Sequence, residues 1–472
     1  MPAHRGLGKR ADSMRSLVWL RHDLRVNDNP ALMAALQAGD EGVVALFVMT
    51  PSQWKRHGWG TPRVSFLLHV LRSLGEELNR LRIPLLIRQV QWFSEVSGTI
   101  LQVARDHQCT IVCAGREFGI DELRRDRAVA QRLASHEIGF QLHADQTLLP
   151  VEEIRTRQGK AYSVFTPFKK RWEALFQERG LPGAALPTAC RQLLTTSDKI
   201  PQAAEGFERS AVIECWNASP PAVQERLDDF LSGAVKHYHL QRDRPDLQGT
   251  SSLSPWLAVG AIAPQTCLRP LIDRYGMSLD RWPDGPRTWQ VELVWREFYR
   301  YVMHWQPRLS MGRPMQAWTD QVAWRDDDRG FQAWCAGCTG IPLVDAGMRQ
   351  LAATGWMHNR LRMVTAMFLT KNLLIDWRRG ERFFSQSLVD YDFPSNNGGW
   401  QWAASTGADA APYFRVFSPL LQAKRFDPEG DFVRAWNAGD SNPAAIDPIV
   451  ELQPTRRRAI LAFKEARVAF GP

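Results

Sequence analysis

Short apolar runs alternate with longer amphipathic segments over the first third of the chain. The apolar runs lie at residues 17–20, 43–49, 85–87, 111–114 and 140–143. Segments with helical periodicity separate them, including residues 65–82 and 121–136, and Asn29 followed by Pro30 is typical of a capped helix start. Strands that alternate with helices at this spacing predict an α/β domain over residues 16–147, Rossmann-like and doubly wound around a parallel sheet.

The strand pattern ends after residue 147. Residues 148–235 carry clusters of Pro and Gly with one helical piece at residues 168–179, which predicts an interdomain linker. Residues 236–472 contain helical patterns joined by Gly and Pro turns, so we expect a large all-α domain there. Residues 1–15 carry charge but no apolar run, and we expect a disordered extension.

The stretch at residues 355–402 is the most unusual part of the helical region. Its first half, residues 356–377, has almost no helix breaker and is apolar on nearly every face, which predicts one deeply buried helix. Asn359, Arg362 and Met363 fall on one face of that helix. These three side chains are therefore expected to face a common site.

The second half of the same stretch is rich in polar residues. Two carboxylates, Asp390 and Asp392, precede the run Ser-Asn-Asn-Gly-Gly at residues 395–399, and Trp400 and Trp402 follow it. The run predicts a turn whose backbone and amides can approach something flat and polar.

Composition and charge narrow the class of protein. With 472 residues the chain is long enough for two or three domains, and its net charge of +9 suits a polyanionic partner without demanding one. Nineteen tryptophans are more than core packing usually needs, so we expect some indoles to stack on a ligand or to carry charge.

The cysteine pattern and the absence of a membrane signal indicate the compartment. Seven scattered cysteines with no secretory segment before them point to a reducing environment, and no run of about 18 apolar residues occurs. We expect a soluble, cytoplasmic monomer with no membrane contact and no obligate protein partner. Cys335 and Cys338 form a single CxxC without a nearby histidine, so we expect no metal site.

Two further segments carry candidate chemistry that the residues alone leave open. Trp289, Glu292, Arg296 and Tyr299 share one helical face, which fits a pocket for a flipped base or, equally, a salt-bridged core. The hydroxyl-rich run at residues 250–254 precedes a helical segment and can form an anion site, although an ordinary helix cap is favoured from these residues alone.

Taken together, these motifs resemble the photolyase/cryptochrome family, and most closely its bacterial class I cyclobutane pyrimidine dimer photolyases. The resemblance begins with Leu-Val-Trp-Leu-Arg-His-Asp-Leu-Arg at residues 17–25, is densest at residues 355–402, and extends to about Trp436. It implies a lyase for DNA repair that splits cyclobutane pyrimidine dimers by electron transfer from photoexcited reduced FAD.

The resemblance implies that FAD binds in the helical domain. The hydroxyl run would hold the phosphates, although Ser252 stands where some bacterial members have arginine, so only hydroxyl and backbone contacts carry over. Arg362 and Asp390 would form an ion pair beside the isoalloxazine ring, Asp392 would meet the polar edge of the ring, and Asn396 would face its reactive nitrogen. The implied FAD-binding residues are Tyr238, Thr250, Ser251, Ser252, Leu253, Ser254, Trp289, Glu292, Arg296, Arg362, Asp390, Asp392 and Asn396.

A pocket for the damaged bases is implied beside the flavin. Glu292 would hydrogen-bond the dimer, Trp295 and Trp402 would clamp it, and Asn359 and Met363 would complete the wall. With Asn396 these are the implied catalytic residues. The implied DNA-binding residues are Arg242, Glu292, Trp295, Arg296, Tyr299, Asn359, Arg360 and Gln422.

Trp324, Trp377 and Trp400 match the electron-relay tryptophans of the family. An indole is among the easiest side chains to oxidise, so a line of them can deliver electrons from the surface to a flavin. Without the resemblance, each of the three would be interpreted as a core residue.

The resemblance also implies a second, light-harvesting chromophore in the α/β domain. His57, Asp121 and Glu122 fall at strand ends, where open α/β sheets bind ligands, and resemble the antenna site of some bacterial photolyases. Asp121 stands where that motif has asparagine. The resemblance makes methenyltetrahydrofolate the expected antenna. Because Asp121 departs from the motif, 8-hydroxy-5-deazaflavin is the alternative chromophore, and an ordinary loop without a ligand remains open.

Three other functions compete with dimer repair. A cryptochrome-like blue-light photoreceptor would keep the flavin and the tryptophans but signal to a partner. Repair of the pyrimidine–pyrimidone photoproduct is expected to need a His-rich pocket, which Asn359 and Met363 do not provide. A nucleic-acid-binding protein without flavin is the remaining alternative, which flavin absorption in the purified protein would eliminate.

Overall fold

The computed structural model of the protein describes residues 14–408, 415–437 and 447–471. Residues 1–13 of the expected N-terminal extension lie outside these ranges, and Arg15 is the first residue of a strand. Within the described ranges, no helix combines the length and the apolar character that crossing a bilayer requires.

A five-stranded parallel sheet forms the centre of the first domain, which confirms the predicted fold class. The strands are β1 (Arg15–Leu20), β2 (Val43–Met49), β3 (Leu85–Gln89), β4 (Cys109–Gly115) and β5 (Gly139–His143). Their order in the sheet is β3-β2-β1-β4-β5, so the winding direction reverses at β1. The crevice at the carboxyl ends of β1 and β4 is therefore the switch point where such sheets bind ligands.

Helices cover both faces of the sheet. They are α1 (Pro30–Ala38), α2 (Pro51–Arg56), α3 (Thr61–Arg80), α4 (Phe93–Asp106) and α5 (Ile120–Ala134). The side chain of Asn29 accepts a hydrogen bond from the Leu32 N–H at 3.0 Å, which confirms the predicted cap of α1. Val18 belongs to the core that includes α1 and α3, whereas its neighbour Leu17 belongs to the core that includes α4 and α5. This alternation explains why β2, an interior strand of the sheet, is apolar along its whole length.

The region between the two domains packs on both of them. Its helices are α6 (Phe165–Arg179) and α7 (Pro220–Ser232), so the helical piece predicted at residues 168–179 lies within α6. The indole of Trp172 on α6 donates to Glu297 Oε2 at 2.7 Å. Between α6 and α7, the Asp198 N–H donates to the carbonyl of Leu85 at 2.9 Å and so covers the edge of β3. The boundaries at residues 147 and 235 stay predictions.

The remaining described residues are helical and contain no strand, in agreement with the predicted all-α domain. The helices are α8 (Tyr238–Gln241), α9 (Ser254–Val259), α10 (Pro264–Tyr275), α11 (Asp284–Trp305), α12 (Asp328–Ala336), α13 (Pro342–Thr354), α14 (Asn359–Met367), α15 (Trp377–Ser387), α16 (Phe393–Ala404), α17 (Pro419–Phe426), α18 (Asp431–Asn437) and α19 (Leu452–Phe470). Helix α11 is the longest of this set and contributes to the core of the domain.

The single helix predicted at residues 356–377 is wrong, because the structure divides this segment. Helix α14 ends in a π-helical turn, Phe368–Asn372, and the chain then bends at Leu374, whose φ is 55°. Helix α15 starts anew at Trp377, where the side chain of Asp376 caps it. The apolar pattern continues through the bend because both sides of it are buried, so periodicity could not reveal the break.

The turn predicted at residues 395–399 is also wrong, because these residues lie inside α16. Asp392 caps the helix by accepting from the Ser395 N–H at 3.3 Å, and Pro394 occupies the first turn, where proline is compatible with a helix. A Cβ at Gly398 would lie 2.0 Å from the ring of Tyr299. The glycine therefore serves the close approach of α16 to α11, and not a turn.

The two domains touch closely on either side of a cavity. At one contact a Cβ at Gly260, whose φ is 75°, would lie 2.0 Å from the carbonyl oxygen of His22. At another, the Ser385 hydroxyl of α15 donates to the carbonyl of Gly58 at 2.8 Å. These contacts fix the helical domain against the carboxyl ends of the strands.

Candidate active site

Two ion pairs connect the two residues that follow α8 to α11 and α14. Arg242 Nη1 donates to Glu292 Oε1 at 2.5 Å, and Arg360 Nη2 lies 2.9 Å from Asp243 Oδ1. All four side chains are partly exposed, so the pairs lie at a rim. The structure thus brings together three predicted DNA-binding residues from distant parts of the sequence. We call Glu292, Arg242, Asp243 and Arg360 the rim cluster.

Glu292 is held in place by its arginine partner. Burial raises the pKa of Glu292, and the positive charge of Arg242 opposes this rise. Only Oε1 is used in the ion pair, and among the described residues Oε2 accepts no hydrogen bond. The second oxygen is therefore available to a ligand that presents N–H groups, as the edge of a pyrimidine base does.

Arg362 and Asp390 form the predicted ion pair. Arg362 Nη2 donates to Asp390 Oδ2 at 2.7 Å, and Arg362 Nε donates to the carbonyl of Met357 at 2.8 Å. Asp390 is only 5% exposed, and its Oδ1 has no hydrogen-bond partner among the described residues. A buried carboxylate oxygen without a donor is costly, so this position calls for a donor from a ligand.

One face of α16 carries Asn396, Gly399 and Trp402 at three-residue steps. Asn396 Nδ2 donates to the carbonyl of Glu381 at 3.1 Å, which fixes the orientation of the amide. A Cβ at Gly399 would have no heavy atom within 4 Å, so the helix opens onto empty space there. The half-buried indole of Trp402 packs on Phe417 at a ring distance of 6.3 Å. This face of α16 is therefore one wall of a site.

The hydroxyl run lies just before α9, as the sequence predicted. The hydroxyls of Thr250 and Ser252 lie 3.3 Å apart, and Ser252 has a φ of 49°. Ser251 is half-buried and Leu253 is buried. Ser254 Oγ accepts a hydrogen bond from the Trp356 indole at 3.1 Å, which connects the run to the start of the 355–402 stretch. Tyr238 and Trp289 pack behind it on the ring of Phe230, at 5.8 and 5.0 Å.

The residues expected to surround the damaged bases are accessible to different degrees. Asn359 is exposed at the start of α14, and Met363, one turn later, is half-buried. The half-buried indole of Trp295 stacks on Phe165 with ring centroids 3.5 Å apart. On α17, Gln422 Oε1 is buried without a hydrogen-bond partner among the described residues.

Arg296 and Asp392 direct their charged ends to the boundary between the domains. Arg296 donates to the carbonyls of Gln146 at 2.5 Å and Leu257 at 3.2 Å, and burial lowers its pKa to about 9. The carboxylate of Asp392 accepts from Arg300 Nη2 at 2.6 Å. Both side chains therefore have structural partners, and their expected contacts with a cofactor or DNA stay predictions.

Comparison with known proteins agrees with this geometry. Two family models match the chain, DNA photolyase over residues 16–190 and the FAD binding domain of DNA photolyase over residues 289–442. The chain is 42% identical to the deoxyribodipyrimidine photo-lyase of Vibrio cholerae over 89% of this chain and 89% of that protein. The chain belongs to the DNA photolyase family. It is also 40% identical to the deoxyribodipyrimidine photo-lyase of Escherichia coli, over 89% of this chain and 88% of that protein.

Solved structures of the photolyase and cryptochrome family have the same fold. A bacterial class III photolyase from Agrobacterium tumefaciens matches with a TM-score of 0.85 and 30% identity, covering 98% of this chain and 100% of that one. A cryptochrome from Synechocystis matches with a TM-score of 0.80 and 27% identity, covering 95% of this chain and 99% of that one. The two-domain architecture is therefore that of the family.

The residues of this photolyase fit the FAD that its matched domain binds. Asp390 Oδ1 is a buried acceptor that needs a donor, and a flavin offers an N–H on its pyrimidine ring. The empty space at Gly399 lies on the helix face of Asn396, where a flat ring can approach the backbone. The half-buried hydroxyls at the start of α9 suit the phosphates.

The three tryptophans predicted to relay electrons differ in exposure. Trp377 and Trp400 are buried and Trp324 is half-buried, as a path from the surface inwards would require. Among the ring pairs of the described residues, Trp400 contacts Trp334 at 6.0 Å and Phe384 at 5.0 Å. Trp334 was not singled out from the sequence, since only the contact with Trp400 distinguishes it from a core residue.

The predicted antenna residues line a cavity of about 390 Å³ between the two domains. His57 Nε2 lies 3.2 Å from Asp121 Oδ2, and His57 Nδ1 lies 3.5 Å from Glu122 Oε1. His22 and Glu117, which follow β1 and β4, line its inner end. The cavity thus lies at the switch point of the sheet, where ligands of doubly wound domains bind.

Arg63 is a cavity residue that the sequence analysis missed. Its side chain is almost completely buried, and its guanidinium lies 4.2 Å from the ring centre of Trp59 and 5.3 Å from that of Tyr391. Nη2 contacts His22 Nε2 at 2.9 Å, whereas Nε and Nη1 have no partner among the described residues. Two buried donors without acceptors indicate a ligand that brings acceptor atoms to this guanidinium. No local motif marks this arginine, because it lies within a regular helix.

Glu381, which also lines the cavity, gives this photolyase a pH-dependent stability. Burial raises the pKa of Glu381 to about 7, although Asn397 Nδ2 donates to it at 2.8 Å. Below its ordinary value of 4.5 the carboxyl is protonated in both states, but between 4.5 and 7 only the unfolded chain loses the proton, so stability declines as pH rises.

Between low and high pH, the free energy of unfolding of Glu381→Gln should decline by about 3 kcal/mol less than that of the wild type. The reason is that glutamine keeps an acceptor for Asn397 and does not titrate. Urea unfolding of both proteins at pH values below 4.5 and above 7 measures the difference. The exposed Glu225→Gln on α7 is the control and should keep the wild-type dependence. Equal dependences in wild type and Glu381→Gln would contradict the assignment.

Proposed function

We propose that this chain is a deoxyribodipyrimidine photo-lyase, which repairs cyclobutane pyrimidine dimers in DNA with light. The observation that carries the proposal is the rim cluster, in which Arg242 holds Glu292 with one carboxylate oxygen free. Independent support comes from two relatives, at 42% and 40% identity, which are named deoxyribodipyrimidine photo-lyases. The cryptochrome-like alternative is not favoured, because the cryptochrome match has lower identity, 27%.

FAD would bind between α9, α14 and α16. Reduced FAD bound there would supply a light-driven and reversible one-electron transfer, which opens the cyclobutane ring of the dimer without net oxidation or reduction. The hydroxyls of Thr250 and Ser251 would hold the phosphates. Arg362 would fix Asp390 so that Oδ1 accepts from the polar edge of the ring, and the amide of Asn396 would hold a proton at the ring nitrogen.

The dimer would bind where Glu292, Asn359 and Met363 meet the indoles of Trp295 and Trp402. A flipped base needs a flat apolar surface for its rings and polar groups for its edge. The indoles provide the first, while Glu292 Oε2 and the amide of Asn359 provide the second. Once the pocket is filled, water is excluded from the carboxyl, so its hydrogen bonds to the bases are strengthened.

Arginines at the rim would bind the phosphates on either side of the dimer. Arg242 and Arg360 both lie within 4.0 Å of Asp243 Oδ1, and each guanidinium has more N–H groups than its ion pairs use. Contacts of this kind position DNA without selecting a sequence, and they make the affinity salt-dependent. Tyr299 and Gln422 would support the pocket and not the phosphates.

Trp324, Trp377 and Trp400 would carry electrons inwards to restore the reduced cofactor, with an external thiol as the final donor. Trp324 is half-buried whereas Trp377 and Trp400 are buried, which supports Trp324 as the outermost of the three. Residues 16–147 would then be the antenna-binding domain and residues 236–472 the FAD- and DNA-binding domain. The protein would be a cytoplasmic monomer with DNA as its only macromolecular partner. The net charge of +9 supports a polyanionic partner such as DNA.

The decisive experiment incubates the purified holoprotein with DNA that contains cyclobutane dimers, in darkness and under blue light. We expect intact pyrimidines to reappear only in the light. Glu292→Gln is the matched variant, since it keeps the shape but loses the charge, and we expect it to reduce dimer affinity about tenfold. A wild-type preparation that contains flavin but restores no bases in the light would overturn the proposed function.

The interdomain cavity would hold the antenna chromophore. Methenyltetrahydrofolate and 8-hydroxy-5-deazaflavin both carry acceptor atoms on a pyrimidinone ring, which could accept from the buried Nε or Nη1 of Arg63. His57 and Glu122, which line the same cavity, would bind other polar groups of the chromophore. The charge on Asp121 sits where the related motif has a neutral amide, and this favours a ligand with an additional N–H donor.

We expect Arg63→Gln to lose the second chromophore while it retains FAD, because glutamine has neither the positive charge nor the reach of the guanidinium donors. Affinity should fall about tenfold or more, as is usual when a charged hydrogen-bond donor is removed. The absorption spectrum after reconstitution with each candidate chromophore provides the measurement and also identifies the antenna. Arg72→Gln, on the same helix but bonded to the carbonyl of Pro201, is the control. Undiminished chromophore binding in Arg63→Gln would refute this role.

A further inference from the structure

Asp243 occupies the centre of the rim cluster, between the two arginines expected to bind DNA. Its Oδ1 lies 2.9 Å from Arg360 Nη2 and 4.0 Å from Arg242 Nε. Arg242 in turn pairs with Glu292. Acidic and basic side chains therefore alternate from Glu292 on α11, through the two residues after α8, to Arg360 on α14. The Asp243 side chain is 29% exposed, so it would face the DNA backbone together with its arginines.

A carboxylate at this position is expected to weaken DNA binding unless it also contributes to binding through its neighbours. A negative charge next to DNA phosphates repels them and reduces the number of counterions that binding releases. Arginine side chains, however, are flexible and lose about 2 kcal/mol of rotamer entropy when a ligand fixes them. A residue that fixes two arginines in advance lowers this cost of binding.

Aromatic rings complete the immobilisation of both arginines. The guanidinium of Arg360 lies 4.3 Å from the ring centre of Phe426 on α17, and that of Arg242 lies 5.6 Å from the ring centre of Tyr238. Arg360 is therefore held by a ring and by the carboxylate of Asp243. Arg242 is held by a ring and by Glu292, with the charge of Asp243 4.0 Å from its Nε. The two guanidinium groups consequently have a defined separation before DNA arrives.

We propose that Asp243 is a positioning residue that sets the separation of Arg242 and Arg360, so that both meet phosphates only when the backbone is bent around an extruded dimer. The inference rests on the proposed function. It assigns to Asp243 the preference for damaged over intact DNA, whereas the arginines provide general affinity. Intact duplex, whose phosphates have a different spacing, engages one arginine at a time.

Asp243→Asn distinguishes this role from that of an ordinary surface charge. Removal of a negative charge by itself raises the affinity for every DNA. If Asp243 positions the arginines, the affinity of Asp243→Asn for dimer-containing DNA falls about tenfold, while its affinity for intact DNA is unchanged or higher. The slope of affinity against salt concentration should decrease by about one phosphate contact for the dimer-containing DNA only.

Two further variants complete the design. Glu429→Gln removes the same charge from an exposed residue near Arg244, outside the rim cluster, and should raise both affinities alike. Asp243→Glu keeps the carboxylate and should restore part of the preference. Flavin content and the unfolding temperature of each holoprotein are measured in parallel, since a purely structural role would change these together with both affinities.

The experiment is a titration of labelled duplexes, with and without one dimer, at several salt concentrations in darkness. A preserved preference in Asp243→Asn would overturn the inference and leave the proposed function standing. Equal gains for both duplexes, as in Glu429→Gln, would also overturn it. Wild-type protein without any preference for the dimer would instead overturn the proposed function, and the inference with it.

Discussion

Asp390→Asn is expected to yield a protein that purifies with less than about a tenth of the wild-type flavin and is less stable by about 2 kcal/mol. Asparagine has nearly the same shape but no charge, so Arg362 loses the partner that it holds at 2.7 Å. Removing one member of a largely buried ion pair leaves the other charge uncompensated. The amide also replaces a carboxylate oxygen that is buried and free to accept from the cofactor.

Flavin absorbance per chain and urea unfolding measure the two parts of this prediction. Asp320→Asn is the matched control, because Asp320 pairs with Arg378 at 2.6 Å on the surface of the same domain. Pairs of that kind contribute about 0–1 kcal/mol, so the control should keep its flavin and nearly all of its stability. Wild-type flavin content in Asp390→Asn would show that Asp390 does not contact the cofactor.

Adjacent glycines on α16 should respond in opposite ways to substitution. Gly398→Ala is expected to destabilise the fold by about 1–3 kcal/mol, because the new Cβ would meet the ring of Tyr299. The distance to that ring would be 2.0 Å, whereas a Cβ at Gly399 would have no heavy atom within 4 Å. Gly399→Leu should therefore fold at least as well as wild type, with a gain of about 1 kcal/mol from helix propensity.

The functional effects of the two substitutions should be reversed. Leucine at position 399 would project into the open space shared with Asn396, so we expect flavin binding to be lost although the apoprotein is folded. Gly398→Ala, once folded, should still bind flavin. Thermal unfolding of flavin-free preparations and titration with FAD separate these outcomes. Normal flavin affinity in Gly399→Leu would contradict the placement of the cofactor beside α16.

Local pattern was sufficient for most of the architecture. Five strands were recognised because each contains a short apolar run between helical segments, and β2 is apolar throughout since helices cover both faces of the sheet. The cap at Asn29 was recognised because its hydrogen bond to Leu32 involves residues three apart. Information of this range is present in any window of about ten residues.

Errors arose where two elements compete for the same residues. Ser395–Gly399 resembles a turn by composition, but Asp392 and Pro394 start a helix there, and contact with Tyr299 on α11 requires the glycine at position 398. The break between α14 and α15 was missed because the apolar pattern does not change there. Burial on both sides of Leu374 keeps the sequence apolar through a bend that tertiary packing imposes.

The residues that carry the chemistry could be named from their resemblance to a family, yet their partners could not. Amino-acid order alone specified an α/β domain followed by a helical one, together with the motifs at residues 250–254 and 355–402, because these depend on neighbours along the chain. Folding in three dimensions alone determined that Arg242 holds Glu292 and that Asp243 lies between two arginines. Those contacts join helices far apart in sequence, and their geometry depends on how the helices pack.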